Sequence, residues 1–363
     1  MSASAAASAP ARLPSVGVVV PCYNYARFLP HNLDALLAQD GVDLDVVVID
    51  DCSSDDSHAV AQSYAARDPR VRAIRHESNR GHIATYNEGL AQVRGDYLVL
   101  ISADDVLTPG SLARSARALA AHPAAGLAYG AVIRHLGDGE PAAPRRAGER
   151  FRVIAGRTWL ARRCRRMTNT IYSPEAMLRR AVYERIGPYD ARLTHTGDFA
   201  MWLAAAARTD VIRVQAPAAF YRTHAANMHA HTETLRGEHV HAMLFDLEQR
   251  RTTVESVLGD PEIAAGTGRY RRTALHRLAE EAFELACRAY TWGLVEAWPV
   301  DELIAFGLSC RPDPAGSRAW RRLAARRRLG AERSRRNPRF VVGEKLAGYG
   351  KALQGLLDRT AGA

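Results

Sequence analysis

Residues 97–112 read YLVLISADDVLTPGSL, and this stretch does most to decide the fold. Five of its first six residues are apolar, which predicts a buried strand. Asp104 and Asp105 follow at the end of that strand, and Pro109 stands where a new helix can begin. Two adjacent carboxylates repel each other and are costly to bury. The stretch therefore predicts either a cation site at the end of the strand or a solvated turn.

Short β-branched runs alternate with amphipathic stretches through the first third of the chain. The predicted strands cover 16–20, 46–49, 71–75, 98–101 and 127–133. The predicted helices cover 28–38, 57–66, 83–93 and 112–121. Continuous apolar runs are typical of parallel strands that are covered on both faces. The alternation predicts an α/β fold with a mainly parallel sheet flanked by helices, and the pattern beyond residue 235 predicts a helical C-terminal extension.

Three polar segments follow predicted strands: PCYN at 21–24, DDCSSDDS at 50–57 and SADD at 102–105. Ligands of such sheets bind beyond the carboxyl ends of the strands. The first of these turns contains no glycine, so neither a dinucleotide-binding G-x-G-x-x-G loop nor a Walker A loop is present. If phosphates bind here, a metal ion held by carboxylates is the remaining common device, with Mg²⁺ or Mn²⁺ as the candidate ion.

The ordered segments VVVPCYNYARFLPHNLDALLAQ (18–39), VVVIDDCSSDDS (46–57) and NRGHIATYNEGLAQVRGDYLVLISADDVLTPGSL (79–112) resemble the nucleotide-binding half of family 2 glycosyltransferases. These are inverting enzymes of the GT-A fold. The resemblance covers about residues 14–135, and GPYDARLTHTGDFAMWLAAAA and FYRTHAANM extend it more weakly to about residue 230. It implies a GT-A fold and the transfer of a sugar from a nucleotide-diphosphate donor.

The resemblance also implies a donor site. The nucleotide-sugar-binding residues would be Pro21, Tyr23, Asn24, Asp50, Asp51, Arg80, Asp104 and Asp105. Within this set Pro21 and Tyr23 would line the base. Asp51 would accept a hydrogen bond from a base N–H, and Asp50 would brace that loop.

A metal site and a general base are implied in the same way. Asp104 would contact the ribose, and Asp105 would bind a Mn²⁺ or Mg²⁺ ion. His224 would approach the same metal or the diphosphate. Asp198, in the segment TGDFAMW, would take the proton from the acceptor hydroxyl.

The sequence departs from the family pattern at two positions. Tyr86 stands where the family usually has an arginine, so Arg80 or Arg222 would have to supply that positive charge. Gly197 replaces a glutamate that usually precedes the base.

The assignments have structural alternatives. Asp51 and Asp198 could each cap a helix, a common role for aspartate. His224 is one of 13 histidines, most of which serve no site.

Charge points to an anionic partner. The chain of 363 residues has a net charge of +10, and residues 317–340 read SRAWRRLAARRRLGAERSRRNPRF. Trp320, Leu323 and Leu329 would lie near one side of a helix there, in the manner of a segment that rests on a membrane. We therefore expect peripheral membrane contact through this arginine-rich segment and no nucleic-acid binding, because aromatic residues are sparse among the arginines.

Composition and pattern predict four regions. Residues 1–13 would be a disordered tail, 14–135 the nucleotide-sugar-binding half, 136–234 the acceptor-binding and catalytic-base half, and 235–363 the helical extension. Residues 137–156 would form a surface loop. The five scattered cysteines contain no C-x-x-C motif, which favours a reducing cytoplasm, with the inner face of the membrane as the surface contacted.

The leading hypothesis is an inverting, metal-dependent glycosyltransferase whose acceptor hydroxyl belongs to a glycan, a lipid-linked sugar or a secondary metabolite. A nucleotidyltransferase would share the architecture but would usually carry a glycine-rich loop after the first strand. A non-catalytic nucleotide-sugar-binding protein would usually have lost carboxylates such as Asp51, Asp105 or Asp198, all of which are present.

Overall fold

The computed structural model describes residues 12–137, 139, 141, 148, 150–224 and 240–346, so most of the predicted tail lies outside the described residues. The strands in these ranges are β1 (Ser15–Cys22), β2 (Asp43–Asp50), β3 (Val71–Arg75), β4 (Tyr97–Leu100), β5 (Val106–Leu107), β6 (Ala125–Leu136), β7 (Phe151–Ile154), β8 (Ala176–Arg179) and β9 (Asp210–Thr223).

The helices begin and end as follows. They are α1 (Leu29–Leu37), α2 (Ser57–Arg67), α3 (His82–Gln92), α4 (Ser111–Ala121), α5 (Gly156–Arg166), α6 (Arg180–Ile186), α7 (Gly197–Arg208), α8 (Val240–Leu258), α9 (Ala264–Trp292), α10 (Val300–Cys310), α11 (Arg318–Leu329) and α12 (Ala331–Arg336).

Contacts group the chain into two compact units. The sheet unit comprises the described parts of Met1–Ala155, Ile171–Tyr189 and Thr209–His224. The helical unit comprises Gly156–Thr170, Asp190–Arg208 and the described part of Ala225–Ala363. The predicted region boundaries at 135 and 234 stay predictions; in the structure, α5 and α7 group with the C-terminal helices.

The sheet has the strand order β3-β2-β1-β4-β8-β6-β9-β5, and β7 also pairs with β9. Strands β3, β2, β1 and β4 pair in parallel with one another. Strand β8 is antiparallel to both β4 and β6, whereas β6 and β9 pair in parallel. The sheet is therefore mixed, and four of the five predicted strands form its continuous parallel part.

Apolar side chains on both faces explain the parallel half. Every residue of β4 is buried, and Val16, Val18 and Val20 of β1 lie in the main core cluster. Helix α3 approaches the opposite face of β1 closely, because a Cβ on Gly89 would lie 2.2 Å from Cγ1 of Val19. These central strands hold the loops at their carboxyl ends in fixed positions.

Residues 151–154 correct the prediction of a surface loop over 137–156. They form β7, which pairs antiparallel with Val211–Val214 of β9. These four residues include one arginine and the exposed Phe151 and Val153, so they give no clear strand signal. The pairing depends on a segment about sixty residues further along.

The helical unit is built around α9, which packs against α5, α8, α10, α11 and α12. Leu278, Phe283 and Ala286 of α9 are fully buried. A Cβ on Gly307 of α10 would lie 2.3 Å from the ring of Phe283, so the two helices pack closely. Within the described ranges, no helix is both long and apolar enough to span a bilayer.

Candidate active site

Three strands deliver polar loops to one edge of the sheet. Strand β1 is parallel to both β2 and β4, so the carboxyl ends of all three lie at the same edge. Cys22 of β1 pairs with Asp50 of β2, and Val19 pairs with Leu100 of β4. The segments after these strands, which the sequence singled out, therefore meet as parallel topology requires.

Asn24 ties the loop after β1 to the loop after β2. Its backbone N–H donates to Ser53 Oγ at 2.8 Å, and its Oδ1 accepts from the N–H of Ser54 at 2.9 Å. Asn24 has a φ of 59° and Cys52 a φ of 63°, so two non-glycine residues adopt the left-handed conformation at this edge. Such backbone is uncommon and recurs at functional loops. The neighbouring Tyr23 is 49% exposed, so its ring is accessible to a ligand, and Pro21 is partly buried at the end of β1.

Asp50 braces the loop that follows β2. Its side chain is fully buried, and Oδ1 accepts a hydrogen bond from the N–H of Ser53 at 3.2 Å. Oδ2 lies 3.4 Å from Nε of Arg75. These contacts tie the Asp50 side chain to the loop, and its role in a donor site stays a prediction.

Asp51 is held as a carboxylate by three donors. Oδ1 accepts from the N–H of Arg80 at 2.7 Å, and Oδ2 accepts from the N–H of Gly81 at 2.9 Å. Nδ1 of His76 lies 2.6 Å from Oδ1. Burial opposes the charged form, but the Arg80 N–H, the His76 side chain and the Gly81 N–H outweigh it and lower the pKa of Asp51. Asp51 is thus an anchored anion, suited to accept a hydrogen bond.

His76 links Asp51 to a second carboxylate, a contact that the sequence did not predict. Its Nε2 lies 3.3 Å from Oε2 of Glu88, which also accepts from Nη1 of Arg80 at 2.5 Å. Both ring nitrogens of the buried imidazole thus face carboxylate oxygens, and only the protonated ring can donate to both. Arg80 itself joins the site through its backbone, while its side chain is engaged with Glu88.

Asp104 and Asp105 are both buried at the end of β4. Oδ2 of Asp104 lies 3.1 Å from Nε2 of His224, and Oδ1 of Asp105 accepts from the N–H of Arg222 at 3.0 Å. Burial and then the charge of Asp104 raise the pKa of Asp105 well above its usual range, against the opposing effect of Arg222. The solvated-turn interpretation of the pair is therefore wrong, since the two residues are only 4% and 2% exposed.

Arg222 braces this edge of the sheet. Its Nε donates to the carbonyl of Asp104 at 2.9 Å, and Nη1 donates to the carbonyls of Gly137 and Gly139. The guanidinium also stacks on Phe28, 4.7 Å from the ring centroid. These bonds to backbone oxygens show that Arg222 holds the loop, and its role as the positive charge that Tyr86 does not supply stays a prediction.

Asn32 is a second contributor that the sequence did not reveal. It is fully buried on the otherwise apolar face of α1, and its Nδ2 donates to the carbonyls of Ser102 and Asp105 at 3.1 and 2.8 Å. The donor amide fixes the loop that carries both aspartates. In the sequence, a single polar residue on the same helix face as Leu29, Leu33 and Leu36 is the feature that could have indicated this role.

Asp198 lies in the helical unit, in the first turn of α7, and is partly buried. The segment before it is tied to α8. Gln249 accepts from the N–H of His195 and donates to the carbonyl of Arg192, and Thr196 Oγ1 lies 2.8 Å from Thr253 Oγ1. An acidic side chain in a first turn is also favoured by the helix dipole, so the capping alternative remains compatible with its position.

The residues at the end of β4 fit a divalent cation. Among the described residues, no group of three or more His, Cys, Asp and Glu side chains is arranged as a metal site. Mg²⁺ and Mn²⁺ commonly take only one or two protein carboxylates and obtain further ligands from substrate phosphates. A cation beside Asp104 and Asp105 would offset the buried negative charge that raises the pKa of Asp105.

The fold agrees with the predicted GT-A fold. A crystal structure of S. aureus TarS 1-349 in complex with UDP superimposes with a TM-score of 0.56 and 14% sequence identity, over 89% of each chain. At this identity the likeness shows the fold, and the predicted GT-A fold with its C-terminal helical region is confirmed.

Comparison of the sequence with a family model identifies the family. The family model described as glycosyl transferase family 2 matches residues 17–187, which confirms the predicted family: this part of the chain is a family 2 glycosyltransferase domain. The succinoglycan biosynthesis protein ExoO of Rhizobium meliloti (strain 1021) is 39% identical over 28% of this chain. The uncharacterized glycosyltransferase alr2836 of Nostoc sp. (strain PCC 7120 / SAG 25.82 / UTEX 2576) is 24% identical over 80% of this chain and 88% of its own length.

The match to ExoO spans 29% of that protein, as does the match to the uncharacterized glycosyltransferase EpsJ of Bacillus subtilis (strain 168).

Proposed function

We propose that this protein is an inverting glycosyltransferase that uses a nucleotide-diphosphate sugar and a divalent metal ion. The observation that carries the proposal is the meeting of Asp51, Asp104 and Asp105 at one sheet edge. This edge lies within the region that the family model matches. The structural neighbour TarS, which was crystallised with UDP, supports a nucleotide-bearing donor.

The donor would bind across the loops after β1, β2 and β4. The exposed ring of Tyr23 would stack on the base beside Pro21, and Asn24 would hold that loop in place. Oδ2 of Asp51 would accept a hydrogen bond from an N–H of the nucleotide base. This oxygen also accepts a hydrogen bond from the N–H of Gly81. Arg80 would line the same part of the donor site through its backbone, whose N–H donates a hydrogen bond to Asp51.

Asp105, with His224, would hold a Mn²⁺ or Mg²⁺ ion, and Asp104 would contact the ribose. A bound divalent ion acts as a Lewis acid and stabilises negative charge on the departing diphosphate. Other residues of the chain hold Asp105 and His224 in position. Asn32 and Arg222 fix the loop, while Tyr25 and Phe28 pack edge-on and tilted against the imidazole of His224.

Asp198 would act as the general base for the acceptor. Its carboxylate would take the proton as the acceptor hydroxyl attacks the anomeric carbon from the face opposite the leaving nucleotide. One displacement inverts that carbon, and no enzyme nucleophile is required. The acceptor would be a glycan, a lipid-linked sugar or another hydroxyl-bearing molecule.

Contact with the inner face of the membrane is part of the proposal. Leu323 is fully buried and Trp320 packs on Phe283 at 5.0 Å between ring centroids, so these apolar side chains are used inside the helical unit. Membrane contact would therefore be electrostatic, through the exposed arginines. Co-sedimentation with anionic vesicles that weakens with salt would support it, and salt-independent or absent binding would contradict it.

The test of the catalytic assignment is Asp198→Asn. We expect turnover of the donor to fall by about two to four orders of magnitude, while the affinity for the nucleotide changes little. Unchanged turnover would show that another group is the base. Normal nucleotide affinity together with no turnover in the wild-type chain, over a panel of donors and acceptors, would favour the non-catalytic binding protein.

A further inference from the structure

A cleft in the helical unit has arginine at five of its eight lining positions. It has a volume of about 530 Å³, and its main lining residues are Arg318, Arg321, Arg322, Arg326, Arg339 and Phe340. The first four come from one side of α11, and the last two come from the helical turns after α12. We call it the arginine cleft. The predicted donor site, which belongs to the sheet unit, does not include any of its residues.

Arg326 forms a fixed floor for this cleft. It is 2% exposed, its Nε donates to Thr291 Oγ1 at 3.0 Å, and its Nη2 donates to Glu344 Oε1 at 3.2 Å. The guanidinium lies 4.2 Å from the centroid of the Phe340 ring, which holds it flat. A buried and oriented guanidinium of this kind loses little entropy when it binds an anion.

The positive charge of the cleft exceeds its negative charge. Glu344 is shared by Arg322 and Arg326, with Oε1 at 2.5 and 3.2 Å from their Nη2 atoms. The guanidinium of Arg321 donates to a backbone carbonyl, which carries no net charge. Within the part of the chain that the structure describes, Arg318 and Arg339 form no ion pair with a carboxylate, and both are exposed.

The position of these arginines also opposes the stability of α11. Arg318, Arg321 and Arg322 stand in its first turns, where the helix dipole disfavours cations, and its first turn has no acidic residue. Like charges at three- and four-residue spacing on one helix face add to this cost. Folding alone therefore does not account for the cluster, whereas an anionic ligand would offset every one of these unfavourable terms.

We propose that the arginine cleft binds a phosphate or diphosphate ester. Guanidinium groups match the oxygens of such an anion with paired hydrogen bonds, and several arginines can serve its different oxygens at once. The nitrogens of Arg326 already donate within the helical unit, so this residue would contribute its charge from the floor. Arg318, Arg321 and Arg339 would contact the anion from the rim. The volume accommodates the anion with a small attached group, for which Phe340 offers an apolar surface. The ester belongs either to a lipid headgroup or to a soluble molecule.

The test compares two double variants with the same change in charge on the same helix. Arg318→Gln with Arg321→Gln alters the rim of the cleft. Arg327→Gln with Arg328→Gln alters two exposed arginines of α11 that do not line it. Pyrophosphate is titrated calorimetrically into the full chain in EDTA, without a sugar donor, so that the result does not depend on the proposed transfer. Arg339→Gln is a third variant from another segment.

We expect saturable binding of one pyrophosphate per chain, weakened about tenfold or more by the rim variant and by less than about twofold in the matched control. Arg339→Gln should weaken pyrophosphate binding as well.

A second experiment identifies the source of the phosphate ester. It compares binding to vesicles of phosphatidylcholine with phosphatidate and binding to vesicles of phosphatidylcholine alone. Stronger binding to the phosphatidate vesicles, lost in the rim variant, assigns the site to a lipid headgroup, and pyrophosphate binding alone assigns it to a soluble ester. Equal weakening by both double variants, or no saturable binding of either probe, would overturn the proposal.

Discussion

At the scale of single residues, the site contains aspartates in opposite environments. Asp51 accepts three hydrogen bonds from Arg80, Gly81 and His76, and these lower its pKa against the effect of burial. Asp105 is buried beside Asp104, which raises its pKa. Asp51 is thus a permanent acceptor, whereas Asp105 gains from a neighbouring cation. The predicted roles of base recognition and metal binding suit these two environments.

His76 should act as a positioning residue for Asp51. We expect His76→Asn to weaken binding of the preferred nucleotide among UDP, dTDP and GDP about tenfold. The asparagine amide cannot reach both Asp51 and Glu88, and a hydrogen bond to a charged group is worth about 1.5–3 kcal/mol. Calorimetric titration with that nucleotide measures the effect, and Glu88→Gln, which keeps the bond between His76 and Asp51, serves as the control. Wild-type affinity in His76→Asn would contradict the role.

Glu175 should make the folded state less stable as the pH rises. Burial raises its pKa to about 8, against the opposing hydrogen bonds from Tyr172 and Val132 and the charge of Arg213. Between the unfolded and folded pKa values only the unfolded chain releases this proton, so the penalty grows from about pH 5 to about pH 8 at about 1.4 kcal/mol per pH unit.

Glu175→Gln removes that penalty. The stability of the variant relative to the wild type should therefore increase by on the order of 4 kcal/mol over this pH range. Urea unfolding of both proteins at each pH provides the measurement, and the titration of all other groups cancels in the difference. A difference that stays constant with pH would mean that Glu175 is already ionised in the folded protein.

At the scale of elements, the sequence predicts what local pattern can encode. The five predicted strands correspond to β1, β2, β3, β4 and β6, and the four predicted helices correspond to α1–α4. Long apolar runs predict those strands, and clear amphipathic periods predict those helices. Strands β5, β7 and β8 have two to four residues and antiparallel partners distant in the chain, so no local period reveals them.

The same limit applies to the site. The carboxylates Asp50, Asp51, Asp104 and Asp105 stand in recognisable motifs at strand ends. His76 and Asn32 do not, because their partners Asp51 and Asp105 are 25 and 73 residues away and only the fold brings them together.

Gly89 should be indispensable to the packing of α3 on β1. Gly89→Ala would bring a methyl group within 2.2 Å of Val19, which must shift, and we expect a loss of about 1–3 kcal/mol. Gly268→Ala in α9 is the matched control, since its Cβ would meet open space, and it should gain up to about 1 kcal/mol from helix propensity. Denaturant unfolding compares the two. Equal effects would show that the close approach does not limit the choice of residue at position 89.

At the scale of the whole molecule, the chain divides its candidate functions between two units. The sheet unit contains the predicted donor-binding residues, and the helical unit contains Asp198 and the arginine cleft. The chain alternates between the units, since 171–189 and 209–224 return to the sheet unit after helices of the other. A mixed sheet with a parallel half is the expected result of βα units followed by these returning strands.

The most direct test of the central claim is nucleotide release from UDP-, dTDP- and GDP-sugars, with Mn²⁺, Mg²⁺ or EDTA and without added acceptor. The account predicts slow hydrolysis of one class of donor, which is abolished by EDTA and in Asp105→Asn but kept in Asp40→Asn, an exposed aspartate outside the site. Thermal shifts with UDP, dTDP and GDP plus Mn²⁺ accompany the assay. If no donor is hydrolysed and no nucleotide shifts the melting temperature, or if Asp105→Asn hydrolyses the donor as the wild type does, the assignment of this sheet edge as a metal-dependent donor site is contradicted.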